Sequence, residues 1–293
     1  MCNPTRICFG LLLGLAAGLL LLVRPTFASP DSQQAVCDTC WAVLGFSQGG
    51  VPLVVHRLGT SSTRLLLVGG QHGGPESNTI ELASRLLGYF SDNPGELPGG
   101  LGLDVLVVAN PDGAATGSRQ FLSGVDPNRN WGTADWQPDG WDSNARFRPG
   151  LGGPTPFSEQ ETRALRDWIL ESRPVVVINY HSAGGFMFGQ SELAELYAAA
   201  SGYYFPRPGG GGPRLLGYRV TGSTNAWLRE QGVAGILVEL STPYDPEVGR
   251  NLAGVRAVLR FLADSSSREA KPARADFLLG AVRALGSGGG GGW

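Results

Sequence analysis

The chain has 293 residues, an apolar fraction of 42% and a formal net charge of −2. This length and composition suit one large globular domain and exclude wholesale disorder. The sequence has no long run of Lys and Arg, so it lacks the clustered positive charge with which proteins bind nucleic acids. We therefore expect no nucleic-acid partner.

The N-terminus has the pattern of an export signal. Arg6 precedes an unbroken apolar run over residues 7–23, and the small-residue end Thr26–Ala28 follows. This pattern predicts a signal peptide at residues 1–28. The alternative is an uncleaved membrane anchor, but the run is shorter than the roughly 20 residues that span a bilayer. We expect an exported protein, secreted or periplasmic, that meets the membrane only through this segment if the segment is retained.

The remaining sequence divides into a polar leader at residues 29–40, a folded domain at residues 41–264 and a low-complexity tail at residues 265–293. Cys37 and Cys40 form a CxxC pair, for which a small disulfide loop or two inert thiols is the expectation after export. A redox protein would need a strand before the motif and a helix after it, and a Cys-rich zinc site would need a second pair. Neither pattern is present.

Apolar runs alternate with helical stretches through the folded domain, which is typical of an α/β protein with a largely parallel sheet. We predict a single α/β domain with a mixed, mostly parallel central sheet flanked by helices. Runs of Val, Leu and Ile predict strands buried on both faces at Arg64–Val68, Asp104–Ala109, Val175–Tyr180 and Gly235–Glu239. Apolar residues at helical spacing predict helices at Asn78–Phe90, Glu192–Ala200, Thr224–Gln231, Pro246–Leu262 and, in the tail, Phe277–Leu285. A capping box at Ser158–Glu161 predicts the start of one more helix.

Two of the three histidines follow predicted buried strands in small, polar turns. His72 lies in the sequence GGQHGGPE and His181 in YHS. Ligand sites in open α/β sheets lie beyond the carboxyl ends of strands. Together with Glu76, the two imidazoles make a three-ligand zinc set with an open fourth position, which is the catalytic arrangement. The alternative for each histidine is a hydrogen-bonded turn residue, and we interpret His56, inside a strand-like stretch, in that way.

One more carboxylate and two arginines belong to the candidate site. Glu239 ends a strongly apolar strand, where a charge is unfavourable unless it has a partner or a task. A general base for a metal-activated water would be such a task. Arg119 and Arg129 lie beyond an NPDG turn at the same sheet edge, and guanidinium groups suit carboxylate binding and carbonyl polarisation. The alternatives are a solvent-exposed glutamate and surface ion pairs.

Taken in order, these motifs resemble those of the zinc carboxypeptidase family of metallopeptidases, over about residues 44–262. The matching pieces are a Gly-His…Glu loop, NPDG, an arginine, GVDxNRN, GPxPFSExE, YHS and VEL. The sequence leaves no room for the long propeptide of digestive members, so it is similar to short, bacterial-type members.

The resemblance implies roles for individual residues around one zinc ion per chain. His72, Glu76 and His181 resemble the zinc ligands, and Glu239 resembles the base and proton shuttle. Arg119 resembles the arginine that polarises the scissile carbonyl and stabilises the oxyanion. One departure is the loop from His72 to Glu76, which has three intervening residues where the family has two, and its glycines can absorb the extra residue.

The resemblance also implies substrate-binding residues. Asn128 and Arg129 resemble the pair that binds the substrate's terminal carboxylate, although a proline precedes them where a leucine is usual. Tyr218, nine residues before Trp227, is similar to the family's mobile tyrosine. Asn225 corresponds to the floor of the pocket for the residue after the cut, which argues against a strong preference for large apolar or basic side chains.

The function implied is that of a metallocarboxypeptidase, a secreted protease that hydrolyses a C-terminal peptide bond with a metal-activated water. An alternative is a cell-wall peptide amidase that cuts γ-D-glutamyl–diaminopimelate bonds, because that substrate also has a free carboxylate beside the cut. A catalytically silent binding module would have lost a ligand or the base, and all are present here. The expected partners are thus peptides or muropeptides.

Overall fold

A seven-stranded sheet forms the centre of the computed structural model, which describes residues 39–206 and 215–269. Its strands are Thr39–Phe46 (β1), Pro52–Leu58 (β2), Arg64–Val68 (β3), Gly102–Leu106 (β4), Val176–Ser182 (β7), Met187–Gly189 (β8) and Ala234–Leu240 (β9). A separate hairpin consists of Gly140–Trp141 (β5) and Phe147–Arg148 (β6). The sheet order is β1-β2-β4-β3-β7-β9-β8. The four central strands from β4 to β9 are parallel, and β1, β2 and β8 are antiparallel to their neighbours.

Helices cover both faces of this sheet. They are Asn78–Asp92 (α1), Pro111–Thr116 (α2), Gln160–Ser172 (α3), Glu192–Ser201 (α4), Thr224–Glu230 (α5) and Val248–Glu269 (α6). Side chains alternate between the two faces of a strand, so Leu65 and Leu67 of β3 belong to the core cluster that includes α1, α4 and α6, whereas Leu66 and Val68 belong to the cluster that includes α3 and α5. The predicted single domain with a mixed sheet between helices is confirmed.

Helices of the described residues include none that is long and apolar enough to cross a membrane. The predicted signal peptide, Cys37 and the predicted helix at Phe277–Leu285 all lie outside the described residues. Cys40 lies in β1, which begins at Thr39 and therefore includes the end of the predicted leader.

Two local predictions are corrected by the structure. Strand β4 ends at Leu106 rather than at Ala109, because the N–H groups of Ala109 and Asn110 instead donate to carbonyls in the loop after β3. Helix α6 continues to Glu269 through the residues predicted to start the low-complexity tail.

The predicted capping box at the start of α3 is wrong. This helix begins at Gln160, and its N-cap residue Glu159 makes no side-chain capping bond. The Ser158 hydroxyl donates to Glu159 Oε1 at 2.7 Å and accepts from Asn130 Nδ2 at 2.8 Å. Tertiary hydrogen bonds to the 130 loop have therefore replaced the local capping bond.

A buried ion pair fixes the first residues of β3 and β4. Arg64 Nε lies 2.7 Å from Asp104 Oδ1, and the two side chains are 3% and 1% exposed. Burial raises the pKa of Asp104, although Arg64 and Arg57 partly offset this effect. Arg64 Nη2 also donates to the carbonyls of Leu58 and Leu103. The guanidinium thus joins β2, β3 and β4 where the sheet changes from antiparallel to parallel.

We expect Arg64→Met to lower the free energy of unfolding by about 3–5 kcal/mol, because Asp104 then stays buried without its main partner. Arg57→Met is the matched control. Arg57 Nε contacts the same carboxylate oxygen at 3.3 Å but its side chain is 26% exposed, so a loss below about 1 kcal/mol is expected. Urea unfolding measures the free energy of unfolding of both variants. Equal losses would contradict the assignment of Arg64 as the main partner of Asp104.

Candidate metal centre and active site

Three buried side chains converge at the carboxyl ends of β3 and β7. His72 Nδ1 lies 3.0 Å from Glu76 Oε2, and His181 Nδ1 lies 3.2 Å from each of these two atoms. All three residues are at most 2% exposed. The structure therefore brings together the three residues that the sequence analysis predicts as metal ligands.

The loop after β3 folds so that the longer spacing between His72 and Glu76 is accommodated. A 3-10 turn at Gly74–Glu76 returns the chain toward the histidine. Gly74 has φ +59°, a left-handed conformation that favours glycine. A Cβ atom on Gly73 would overlap the backbone of Gly113. Both glycines are thus required for a carboxylate to reach the ligand position from the fourth residue after the histidine.

Asp126 orients the first of these imidazoles, a role that the sequence analysis missed. Its Oδ1 lies 2.9 Å from His72 Nε2. Burial alone would raise the pKa of Asp126, but Arg119, His72 and Arg129 outweigh this effect and hold it well below its usual range. An ionised Asp126 accepts the Nε2–H proton and leaves the Nδ1 lone pair directed at Glu76. The available signal was its position in GVDxNRN, two residues before Asn128.

The electrostatics of this cluster fit a bound cation. Burial, with Arg119 second, lowers the pKa of His72 to about 4, and burial also holds the pKa of His181 well below its usual value. Both rings are therefore neutral near pH 7, and His72 Nδ1 faces the carboxylate of Glu76 acceptor to acceptor. A metal ion would relieve this contact, and two imidazoles with one carboxylate are a donor set that zinc prefers.

We expect Asp126→Asn to weaken metal binding about 10–100-fold, the usual effect of removing a partner that orients a metal-ligating histidine. An asparagine amide here has two orientations. If its NH₂ group donates to Nε2, the imidazole proton must move to Nδ1, which can then no longer bind a metal. If its oxygen accepts from Nε2 instead, its NH₂ group faces the guanidinium of Arg119. Asp142→Asn is a matched control, because Asp142 also accepts hydrogen bonds from backbone N–H groups and an arginine. Competition with a chelator measures the affinities, and equal affinity in both variants would contradict the role of Asp126.

Glu239 lies beside this cluster on the adjacent strand. In the register of β7 and β9 it pairs with His181, so the two side chains emerge on the same face of the sheet. Burial raises the pKa of Glu239, and Arg119 only partly offsets this effect. Arg119 itself forms ion pairs with Glu76 and Asp126. A carboxylate with a raised pKa and a guanidinium thus lie next to the three convergent atoms.

The predicted carboxylate-binding pair follows Asp126 in the same loop. Asn128 and Arg129 are 7% and 3% exposed. Arg129 Nε and Nη2 donate to the carbonyl of Trp141 at 3.3 and 3.0 Å, and Nη1 donates to the carbonyl of Asn128 at 2.9 Å. The guanidinium is therefore fixed by two backbone oxygens, and two of its five N–H groups remain for a ligand.

The remaining predicted residues lie outside the convergent cluster. Tyr218 is partly exposed, in the chain that precedes α5. Asn225 is in the first turn of α5, and its Oδ1 is buried without a hydrogen-bond partner among the described residues, against Gly235 of β9. Their substrate-binding roles stay predictions. His56 lies in β2 and lines an apolar surface groove with Trp41.

Comparison with known proteins gives a family match for part of the chain. The sequence profile of zinc carboxypeptidases matches residues 64–195, a stretch that contains the three convergent residues. The crystal structure of carboxypeptidase A from Helicoverpa armigera superposes with a TM-score of 0.62 at 19% identity, over 78% of this chain and 69% of that one. Residues 64–195 thus carry the sequence signature of the zinc carboxypeptidase family.

Two similar proteins are named for amidase activity on murein peptides. Murein peptide amidase A of Escherichia coli K12 is 29% identical over 204 residues, which cover 67% of this chain and 78% of the amidase. The crystal structure of the murein-tripeptide amidase from Escherichia coli O157 has a TM-score of 0.56 at 24% identity and covers 80% of this chain and 96% of that one. At this identity the structural match establishes a shared fold.

Proposed function

We propose that this protein is a zinc-dependent hydrolase that cuts the amide bond next to a free carboxylate of a peptide. The observation that carries the proposal is the convergence of His72, Glu76 and His181 within 3.2 Å at the sheet edge. The proposal is further supported by Glu239 on the adjacent strand and by the match of residues 64–195 to the zinc carboxypeptidase family.

Each neighbouring residue has a distinct task in this reaction. A zinc ion held by His72, Glu76 and His181 would supply a Lewis acid that makes water at the site acidic enough to lose a proton near neutral pH. Glu239 accepts a proton from the attacking water at its carboxylate and delivers it to the leaving amine. Arg119 donates to the oxyanion that develops on the scissile carbonyl, an interaction typically worth about 3–4 kcal/mol per donor. Asn128 and Arg129 bind the substrate carboxylate and so select the bond.

Two substrate classes satisfy this arrangement. The first is the C-terminal peptide bond of an ordinary peptide, which makes the protein a metallocarboxypeptidase. The second is the γ-D-glutamyl–diaminopimelate bond of a cell-wall peptide, which is favoured by the 29% identity to murein peptide amidase A. Both substrates present a free carboxylate next to the cut bond, so the same asparagine and arginine serve either.

The test combines metal analysis with a substrate comparison. The purified protein is expected to contain about one zinc per chain and to hydrolyse its substrate until a chelator removes the metal. Assays with the tripeptide L-alanyl-γ-D-glutamyl-diaminopimelate and with N-blocked dipeptides separate the two substrate classes. Full activity in a protein shown to be free of metal would overturn the proposal.

We also propose that the protein is exported, which would place it in the compartment where cell-wall peptides occur. The support is the apolar run at residues 7–23 with the small-residue end that follows. N-terminal sequencing of protein from the periplasm or medium is expected to give Ser29 as the first residue. A chain that retains Met1 in the membrane fraction would instead indicate an anchor.

A further inference from the structure

Gln71, the residue before His72, lies at the centre of a buried polar network. Its side chain is 3% exposed. Nε2 donates to the carbonyl of Pro127 at 3.1 Å and to Thr224 Oγ1 at 2.7 Å, and Oε1 accepts from Asn179 Nδ2 at 2.5 Å. These partners are 56, 153 and 108 residues away in sequence. One amide therefore joins four segments that meet only at this edge of the sheet.

Two of these contacts flank Asn128. Gln71 holds the carbonyl of Pro127, the residue directly before it. Gln71 also holds the hydroxyl of Thr224, whose backbone N–H donates to Asn128 Oδ1 at 2.9 Å. The backbone and the side-chain oxygen of Asn128 are thus fixed through the same residue.

The contact with α5 determines which atom of the Asn128 amide is available to a ligand. The Oδ1 atom is used as an acceptor for Thr224 N, so the NH₂ group is directed away from α5. An amide NH₂ group is a donor, which is what a carboxylate requires. If the amide rotated by 180°, its oxygen would face the ligand and repel a carboxylate.

We propose that Gln71 is a positioning residue that gives the site its preference for a free carboxylate, by holding Asn128 so that its NH₂ group, rather than its oxygen, faces the ligand. This inference rests on the proposed function, in which Asn128 and Arg129 bind the substrate carboxylate. Gln71 acts on Asn128 through its hydrogen bonds to Pro127 and Thr224, and we assign it no step of the reaction itself.

The test compares a substrate that has the free carboxylate with the same substrate carrying a carboxamide there. Gln71→Met preserves the size of the side chain and removes its hydrogen bonds. We expect kcat/KM for the free carboxylate to fall about tenfold or more, mainly through KM, because a hydrogen bond to a charged group is lost. Hydrolysis of the carboxamide and the zinc content should stay within about twofold of wild type.

Two further variants separate positioning from general damage. Thr224→Val removes the hydroxyl that receives the Gln71 bond and should reproduce the loss of preference, whereas Thr224→Ser retains the hydroxyl and should preserve it. Asn251→Leu is the matched control, since Asn251 is fully buried and bonded to the hydroxyls of Tyr197 and Tyr203. The Asn251→Leu variant should be less stable, but its ratio of carboxylate to carboxamide hydrolysis should equal that of wild type.

An equal fall for both substrates in Gln71→Met, or no fall for either, would overturn the inference. If that variant fails to fold, the Thr224→Val and Thr224→Ser pair gives the answer. A wild-type protein that hydrolyses carboxamide and carboxylate equally well refutes the carboxylate part of the proposed function. In that case calorimetric titration still decides the role of Gln71. The carboxylate product and its amide are titrated into wild type and into Gln71→Met. If the ratio of the two ligand affinities is the same in both proteins, the role of Gln71 is refuted.

Discussion

Glu239→Gln should retain the bound metal and lose about 10²–10⁴-fold in kcat, the usual contribution of a general base. Glutamine has nearly the same shape, so the register of β9 against β7 and the neighbouring ligands are preserved. Its amide cannot accept a proton from water. Steady-state kinetics together with metal analysis of the same preparation measures the effect.

Glu230→Gln is the control for this experiment. Glu230 is an exposed residue of α5, distant in sequence from every ligand, and the variant should have wild-type kinetics. Near-normal turnover in Glu239→Gln would remove the base from the mechanism and leave the metal centre in place. A loss of metal together with activity would show that the glutamate supports the ligands.

Metal removal should lower the thermal unfolding midpoint by about 5–10 °C. Metal at about 100 times its dissociation constant stabilises the folded state by about 2.7 kcal/mol, and in a domain of this size each kcal/mol corresponds to about 2–4 °C. Without the ion, His72 Nδ1 and Glu76 Oε2 remain 3.0 Å apart as two acceptors. His181→Ala leaves two ligands and should abolish both the metal-dependent shift and the activity.

His56→Ala is the matched control for this ligand variant, because His56 is the only histidine outside the cluster. Its midpoint should still fall when a chelator is added and recover when zinc is restored. A wild-type protein whose melting is unaffected by chelator, after confirmed metal removal, would contradict the metal centre.

Strand β3 has the bounds that the sequence predicts, whereas β1 was missed. All five residues of β3 are buried. A strand that is buried on both faces needs apolar side chains at successive positions, and this run made β3 recognisable in the sequence. Strand β1 is at the edge of the sheet, and Trp41, Val43 and Phe46 are 67%, 42% and 57% exposed. An edge strand that leaves apolar side chains in solvent has no clear alternation, so its periodicity gave no signal.

In the candidate site, too, some residues could be predicted from the sequence and others could not. His72 and His181 were recognisable because each lies at or just after the carboxyl end of an apolar strand, where α/β folds place their ligands. Asp126 and Gln71 were not, because their roles depend on partners 54 and 153 residues away. A hydrogen bond between distant segments leaves no periodic pattern in a sequence, and the GVDxNRN motif does not by itself show that His72 is the partner of Asp126. Only the three-dimensional fold shows which side chains of the site are hydrogen-bonded to each other.

The contact between Arg129 and the β5–β6 hairpin has a consequence for mutagenesis. The hairpin holds the guanidinium through the main-chain oxygen of Trp141, while the indole itself is 40% exposed. Alanine scanning will therefore not detect this contact, since an alanine at position 141 has the same main-chain oxygen as the tryptophan. Shortening the hairpin, which moves the oxygen itself, is the change that would release the arginine.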